Sequence, residues 1–266
     1  MTGPAASVII GLLWLACGVL IWRNLKLRRE NRRLRVALAA APAAPATVAP
    51  TPGQPAAVQT GARNPHRILM ERLGLAEGAL PKGGDWRIGD DLLLLILDEI
   101  ERALPEVVVE LGSGLSTAVI AQALECQGKG HLWSVEADPA YAEETLEQVA
   151  RLGLSHRVTL IEAALEPYDN RTQWYDRKAL GDLPQRIDLL LIDGPPHHAG
   201  KTPRHPAGPE LFSSVAPGGL IVLDDGRRQK EKKTLRLWHE EFPDFEQRIS
   251  ATDKQAAFLR RKEHAR

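Results

Sequence analysis

Between residues 106 and 225 the sequence switches five times between a short apolar run and a stretch with helical spacing. The runs are EVVVE (106–110), HLWSVE (131–136), RVTLIE (157–162), IDLLLID (187–193) and GLIVLD (219–224). Helical patterns fall near 115–126, 139–152, 170–180 and 207–215, and another leads in over 90–103. Strands this apolar need cover on both faces, and parallel neighbours need a crossover helix between them. The pattern predicts a doubly wound, mostly parallel α/β sheet. A helix over 228–241 and two more strand candidates, FEQRIS (245–250) and QAAFLRR (255–261), bring the sheet to seven strands, ending in an antiparallel pair.

The chain ahead of this body has a different character. Residues 5–22, AASVIIGLLWLACGVLIW, carry no charge. As a helix they would span about 27 Å, close to the ~30 Å of a bilayer's hydrocarbon. Residues 23–35 then hold seven Lys/Arg and one acid, a local +6 that leaves 27 basic and 33 acidic residues elsewhere in a chain of zero net charge. This reads as an uncleaved transmembrane anchor over 1–22 with a basic juxtamembrane segment over 23–38. By the positive-inside rule the body is then cytoplasmic. A cleaved signal peptide is the competing reading, but the charged start and the cleavage site it needs are not evident. The uncharged Ala/Pro-rich stretch 39–62 reads as a linker, which leaves 63–266 as the folded domain. The acidic body argues against nucleic acid as a partner, and two distant cysteines, Cys17 and Cys126, exclude a disulfide framework.

In a sheet of this kind ligands bind beyond the C-terminal strand ends, where the strand order reverses. The first strand ends in ELGSGLST (110–117). Gly112 and Gly114 let backbone approach a ligand, but a dinucleotide fingerprint wants a third glycine where Thr117 stands. Glu110 would repel a pyrophosphate and suits an ammonium. Glu136, ending the second strand, is placed to take ribose hydroxyls. A ligand with a ribose and an ammonium but no phosphate fits both, and S-adenosylmethionine is such a ligand. Solvated strand ends are the plainer reading of the same acids.

VVVELGSGLST, LWSVEADP, VTLIEAAL, IDLLLIDGPP and VAPGGLIVLDD, in that order, resemble the successive motifs of class I S-adenosylmethionine-dependent methyltransferases. Ser116 stands where that family often has its third glycine. The resemblance implies that Glu110, Gly112 and Gly114 hold the methionine end, Glu136 the ribose, and Ala163 or Ala164 the adenine.

Asp193 ends the fourth strand, and Asp224 and Asp225 end the fifth. Three carboxylates on adjacent strand ends make an oxygen-rich cluster suited to Mg²⁺, as in the metal-dependent O-methyltransferase branch that the pattern resembles. Contact with cofactor or substrate, or helix capping, would explain the same aspartates without metal. The Pro- and Gly-rich loop 194–208 carries His197, His198, Lys201, Arg204 and His205 and would wall the site. Asp193, His197 and Arg204 are its candidate catalytic residues, with cofactor contact also expected of Asp193. The expected activity is methyl transfer to a hydroxyl of a small-molecule or glycan-type acceptor. A nicotinamide-dependent oxidoreductase and a non-catalytic tethered scaffold are the alternatives.

Overall fold

The computed structural model describes residues 64–80 and 88–263. The expected anchor, basic segment and linker lie outside the described residues. Among the described residues no helix is long and apolar enough to cross a membrane.

A seven-stranded sheet organises the body, in the order β3-β2-β1-β6-β7-β9-β8. Its strands are β1 (Val107–Leu111), β2 (His131–Glu136), β3 (Val158–Glu162), β6 (Ile187–Ile192), β7 (Val215–Leu223), β8 (Phe245–Ile249) and β9 (Ala257–Arg261). Pairing is parallel throughout except at β9, which runs antiparallel to both β7 and β8. The chain builds outward from β1 to β3, then returns to lay β6 on the other side of β1. That reversal is the switch point at which such sheets open a crevice.

Two clusters of buried side chains, one on each face, follow the period-two alternation of the strands. Val108, Leu132, Leu189, Leu191 and Val222 belong to one cluster, with α1 (Pro65–Arg72), α2 (Asp90–Ala103) and α3 (Leu115–Gln127). Val109, Leu111, Val135, Leu190 and Ile221 belong to the other, which α6 (Ala207–Leu211) and α7 (Gln229–Glu241) complete through Leu211, Leu235 and Trp238. Helix α2 shows the logic: Leu92, Leu93, Ile96, Leu97 and Ile100 are buried at helical spacing. Each contributes roughly 1.5–3 kcal/mol by leaving water. Asp90 and Asp91 in its first turn suit the positive end of the helix dipole. Helix α4 (Pro139–Arg151) starts on Asp138, whose side chain accepts from the Ala140 N–H, with Pro139 at the first helical position.

The helix expected over 170–180 is replaced by a two-stranded hairpin, β4 (Leu165–Asp169) and β5 (Thr172–Tyr175), and a single turn, α5 (Arg177–Leu180). The Asp169 side chain accepts from the Arg171 N–H at 2.6 Å, closing a turn of the kind Asp favours. Trp174 and Tyr175, poor helix formers, are fully buried from the second strand. The helix expected over 207–215 stops at Leu211 and continues as a 3₁₀ turn, Phe212–Ser214.

Candidate active site

At the switch point the strand ladders run on into the loops. Gly112 N–H donates to the Val135 carbonyl, Asp193 N–H to Leu111, and Asp224 N–H to Ile192. The residues after β1, β6 and β7 are thereby held side by side. Gly112 has φ +92°, and a side chain there would meet Gly194 N at 3.0 Å. A Cβ on Gly194 would stand 2.1 Å from the Tyr175 hydroxyl. Both positions therefore need glycine.

Glu110 has none of its surface exposed. Its Oε2 accepts from Thr117 Oγ1 (2.5 Å) and Ser134 Oγ (2.7 Å), while Oε1 has no hydrogen-bond partner. Thr117 Oγ1 accepts from the Gly114 N–H at 2.9 Å. The residue that breaks the dinucleotide fingerprint thus ties the glycine turn to Glu110. Burial pushes the Glu110 carboxyl up to about 7; the hydroxyls of Ser116, Thr117 and Ser134 oppose that rise and Glu136 adds to it. Glu110 braces the turn from inside and offers a ligand no surface of its own.

Glu136, half-buried, faces the same turn from β2. Oε2 accepts from Ser113 N (2.9 Å) and Ser113 Oγ (3.1 Å), and Oε1 from Ala137 N (2.8 Å) and Asp138 N (2.9 Å). Ser113 Oγ also lies 3.2 Å from Thr145 Oγ1. The serine can turn to that partner and leave a lone pair of Glu136 to an incoming hydroxyl. After β3, Ala163 is buried and Ala164 exposed, and the Ala163 N–H donates to the Glu136 carbonyl at 2.8 Å.

The three aspartates converge: one oxygen from each of Asp193, Asp224 and Asp225 lies within 4.8 Å of the others. Cations already serve them. Arg204, 2 % exposed, reaches Asp193 Oδ1 (2.9 Å), Asp225 Oδ2 (3.4 Å) and the Asp224 carbonyl (3.0 Å). Behind it, buried Glu231 lies 3.9 Å from Nε. Burial opposes the guanidinium's charge, but Asp193, Asp225, Glu231 and Asp224 outweigh it and hold its pKa above the ordinary value. Arg228 pairs with Asp225 at 2.6 Å, and Lys254 with Asp224 at 3.2 Å and Asp225 at 3.6 Å. Burial raises the carboxyls of Asp193 and Asp224, and their neighbouring aspartates add to the rise. A hard dication wants about six oxygens at about 2.0–2.6 Å. Here it would enter a cluster in which four acids already face three fixed positive charges. As the side chains stand, the expected Mg²⁺ does not fit.

The cationic side chains of loop 194–208 divide, with Lys201 exposed and Arg204 buried. Arg204 turns inward, and His205 pairs with Glu241 of α7 at 2.9 Å. Lys230 Nζ donates to the carbonyls of His197 and Gly200 at 2.6 Å each. The rings of His197 and His198 remain exposed. No motif points to Tyr175, which is buried at the end of the hairpin. Its hydroxyl is pushed well above its ordinary pKa, first by burial, then by Glu136, with Asp193 and Glu110 adding and Arg204 opposing. Every acid of the expected cofactor motif therefore acts on this phenol.

Residues 109–226, from the middle of β1 to just past Asp225, match the family model described as "Methyltransferase domain". That stretch is similar to a methyltransferase domain. Its fold is shared with solved structures. A putative O-methyltransferase from Klebsiella pneumoniae is 19 % identical, with TM-score 0.51 over 77 % of this chain and 92 % of that one. The SAH-bound methyltransferase PaMTH1 of Podospora anserina is 15 % identical, with TM-score 0.53 over 76 % and 89 %. An O-methyltransferase from Bacillus cereus, solved in complex with SAH, is 14 % identical, with TM-score 0.51 over 77 % and 94 %. At these identities the likeness is one of fold. Curated proteins give no significant match. Within the matched stretch the glycine turn, Glu136 and Asp193 lie on neighbouring strand ends of one crevice.

Proposed function

We propose that the domain transfers a methyl group from S-adenosylmethionine to a hydroxyl oxygen of a small-molecule or glycan-type acceptor. The observation that carries this reading is the glycine turn after β1 hydrogen-bonded to a half-buried glutamate at the tip of β2, within a stretch that matches a methyltransferase domain. A carboxylate at that tip suits a ribose and repels a phosphate. When bound, the cofactor supplies an electrophilic methyl on a sulfonium. Glu136 would take its ribose hydroxyl in the place of Ser113 Oγ, Gly112 and Gly114 would let the turn lie close to its amino-acid end, and Ala164 would border its adenine. Asp193, about a fifth exposed and held by Arg204, is the base this geometry offers for the acceptor proton. Its raised pKa improves it in that role.

Alignment and electrostatics are the domain's main contributions. Asp193→Asn is expected to lower transfer from methyl-labelled S-adenosylmethionine by about 10²–10⁴-fold, with S-adenosylhomocysteine affinity kept within a few-fold. Undiminished transfer would remove Asp193 from the chemistry. We also propose that residues 5–22 anchor the chain in a membrane with the domain on the cytoplasmic side, on the strength of the +6 segment that follows. Protease added to intact cells or spheroplasts should then spare the domain, and digestion from outside would overturn the orientation.

A further inference from the structure

Lys254 comes to the aspartate cluster from far along the chain. It lies in the turn between β8 and β9, and its ammonium stands 3.2 Å from Asp224 Oδ2 and 3.6 Å from Asp225 Oδ1. An exposed lysine pair is usually worth little. This one differs because Asp224 is fully buried and Asp225 nearly so, so the carboxylates cannot turn to water instead. The turn is also fixed from several sides. The Lys254 carbonyl accepts from Arg227 N–H at 2.9 Å, the Asp253 carbonyl from Arg227 Nη1 at 3.2 Å, and Asp253 N–H donates to Asp91 Oδ2 at 2.8 Å. Arg227 lies two residues after Asp225, so the backbone that carries Lys254 is held against the segment that carries its partners. The Ala256 N–H donates to Thr252 Oγ1, closing the turn.

We propose that Lys254 stands where a divalent cation would otherwise sit, and that the Asp193–Asp224–Asp225 cluster works with this ammonium and without a metal. Arg204 holds the buried side of the cluster, touching Asp193 and Asp225, and Arg228 closes on Asp225. Lys254 is the partner that also reaches solvent, with about a third of its side chain exposed. A lysine ammonium is a compact point charge with three donors. It neutralises the aspartates from the solvent side of the cluster. Lys254 is thus a positioning residue that acts through the cluster. The proposal rests on the methyltransferase reading only for what the cluster serves; the ion that occupies it is a separate matter.

Mn²⁺ titrations of the detergent-solubilised full chain, read by loss of the free-ion electron paramagnetic resonance signal, test this directly. Wild-type protein should bind no Mn²⁺ at the cluster, and chelator should leave turnover unchanged. Lys254→Ala and the bulkier Lys254→Met should each gain saturable Mn²⁺ binding, at least about tenfold tighter than wild type, because a positive charge within a few ångströms of the ion is gone. Lys254→Arg should behave as wild type. Tight Mn²⁺ binding by the wild type, loss of its turnover on chelation, or no gain in either neutral variant would overturn the proposal. S-adenosylhomocysteine binding, measured on the same samples, separates the two claims: its absence removes the methyltransferase reading, while the Mn²⁺ comparison still decides what fills the cluster.

Discussion

Replacing Glu136 by glutamine changes one atom and removes one charge, at a residue with four donors around it. The carboxylate serves Ser113 N–H and O–H on one oxygen and the N–H groups of Ala137 and Asp138 on the other. A glutamine keeps one oxygen. If it faces Ala137 and Asp138, its NH₂ meets the Ser113 N–H; if it faces Ser113, two backbone donors meet an NH₂. Ser113 Oγ can turn to Thr145, so the first orientation costs least, with one donor left facing another. Each charge-assisted bond is worth about 1.5–3 kcal/mol. One such bond lost at a half-buried position should lower stability by about 1–2 kcal/mol, read as a shifted urea midpoint at unchanged slope. Loss of the charged acceptor should also weaken S-adenosylhomocysteine by about 1–3 kcal/mol, roughly 5–150-fold by calorimetry. A variant with wild-type midpoint and wild-type affinity would show that Glu136 neither ties the turn nor meets the ligand.

Glu110 ionises at about 7 in the fold and near 4.3 in an unfolded chain. The folded state keeps the proton longer, so this group's contribution is intact below about pH 4, falls as pH rises to 7 and is flat above, a loss on the order of 3 kcal/mol. Glu110→Gln stays neutral, keeps an oxygen for Thr117 and Ser134, and should be more stable than wild type at pH 8 but not at pH 4. Equal pH profiles in thermal unfolding would refute the burial of an ionising group there. Gly194→Ala would place a methyl 2.1 Å from the Tyr175 hydroxyl and should cost about 1–3 kcal/mol by overpacking, with part of that returned by Tyr175→Phe. A double-mutant cycle in urea without coupling would refute the contact.

Where the governing contacts are local, the sequence was a sufficient guide. The five apolar strands stand within a residue or two of their expected starts, except that β7 begins earlier, at Val215. Helix α2 has its expected bounds. Glu136 ends its strand, and the three aspartates meet because β6 and β7 are neighbours. The failures are non-local or depend on turn chemistry. Residues 170–180 carry enough helix-compatible residues to mimic a helix, but Asp169 and Asn170 make a turn and Trp174 is worth more buried in the core. Arg204 reads as one of several cations in an exposed loop, yet it is buried beside four acids that come from the end of β6, the end of β7 and helix α7. Helical periodicity cannot show that Thr117 faces back to Glu110 across the glycine turn. The anion-rich cluster was visible, but Lys254, some thirty residues beyond it, was not.

Function then follows from placement. The sheet reversal sets Gly112 against Gly194, that contact sets Asp193 beside the glycine turn, and buried hydroxyls hold the turn to Glu110. Arg204 and Lys254 balance the aspartates, so the far wall of the crevice carries charge without being strongly repulsive to an acceptor.

Calorimetric titration of the full chain, in detergent, with S-adenosylhomocysteine and separately with NAD tests the central claim most directly. S-adenosylhomocysteine should bind saturably, one to one, and more weakly to Glu136→Gln, and NAD should give no heat. Binding of NAD, or no binding of S-adenosylhomocysteine, would contradict it.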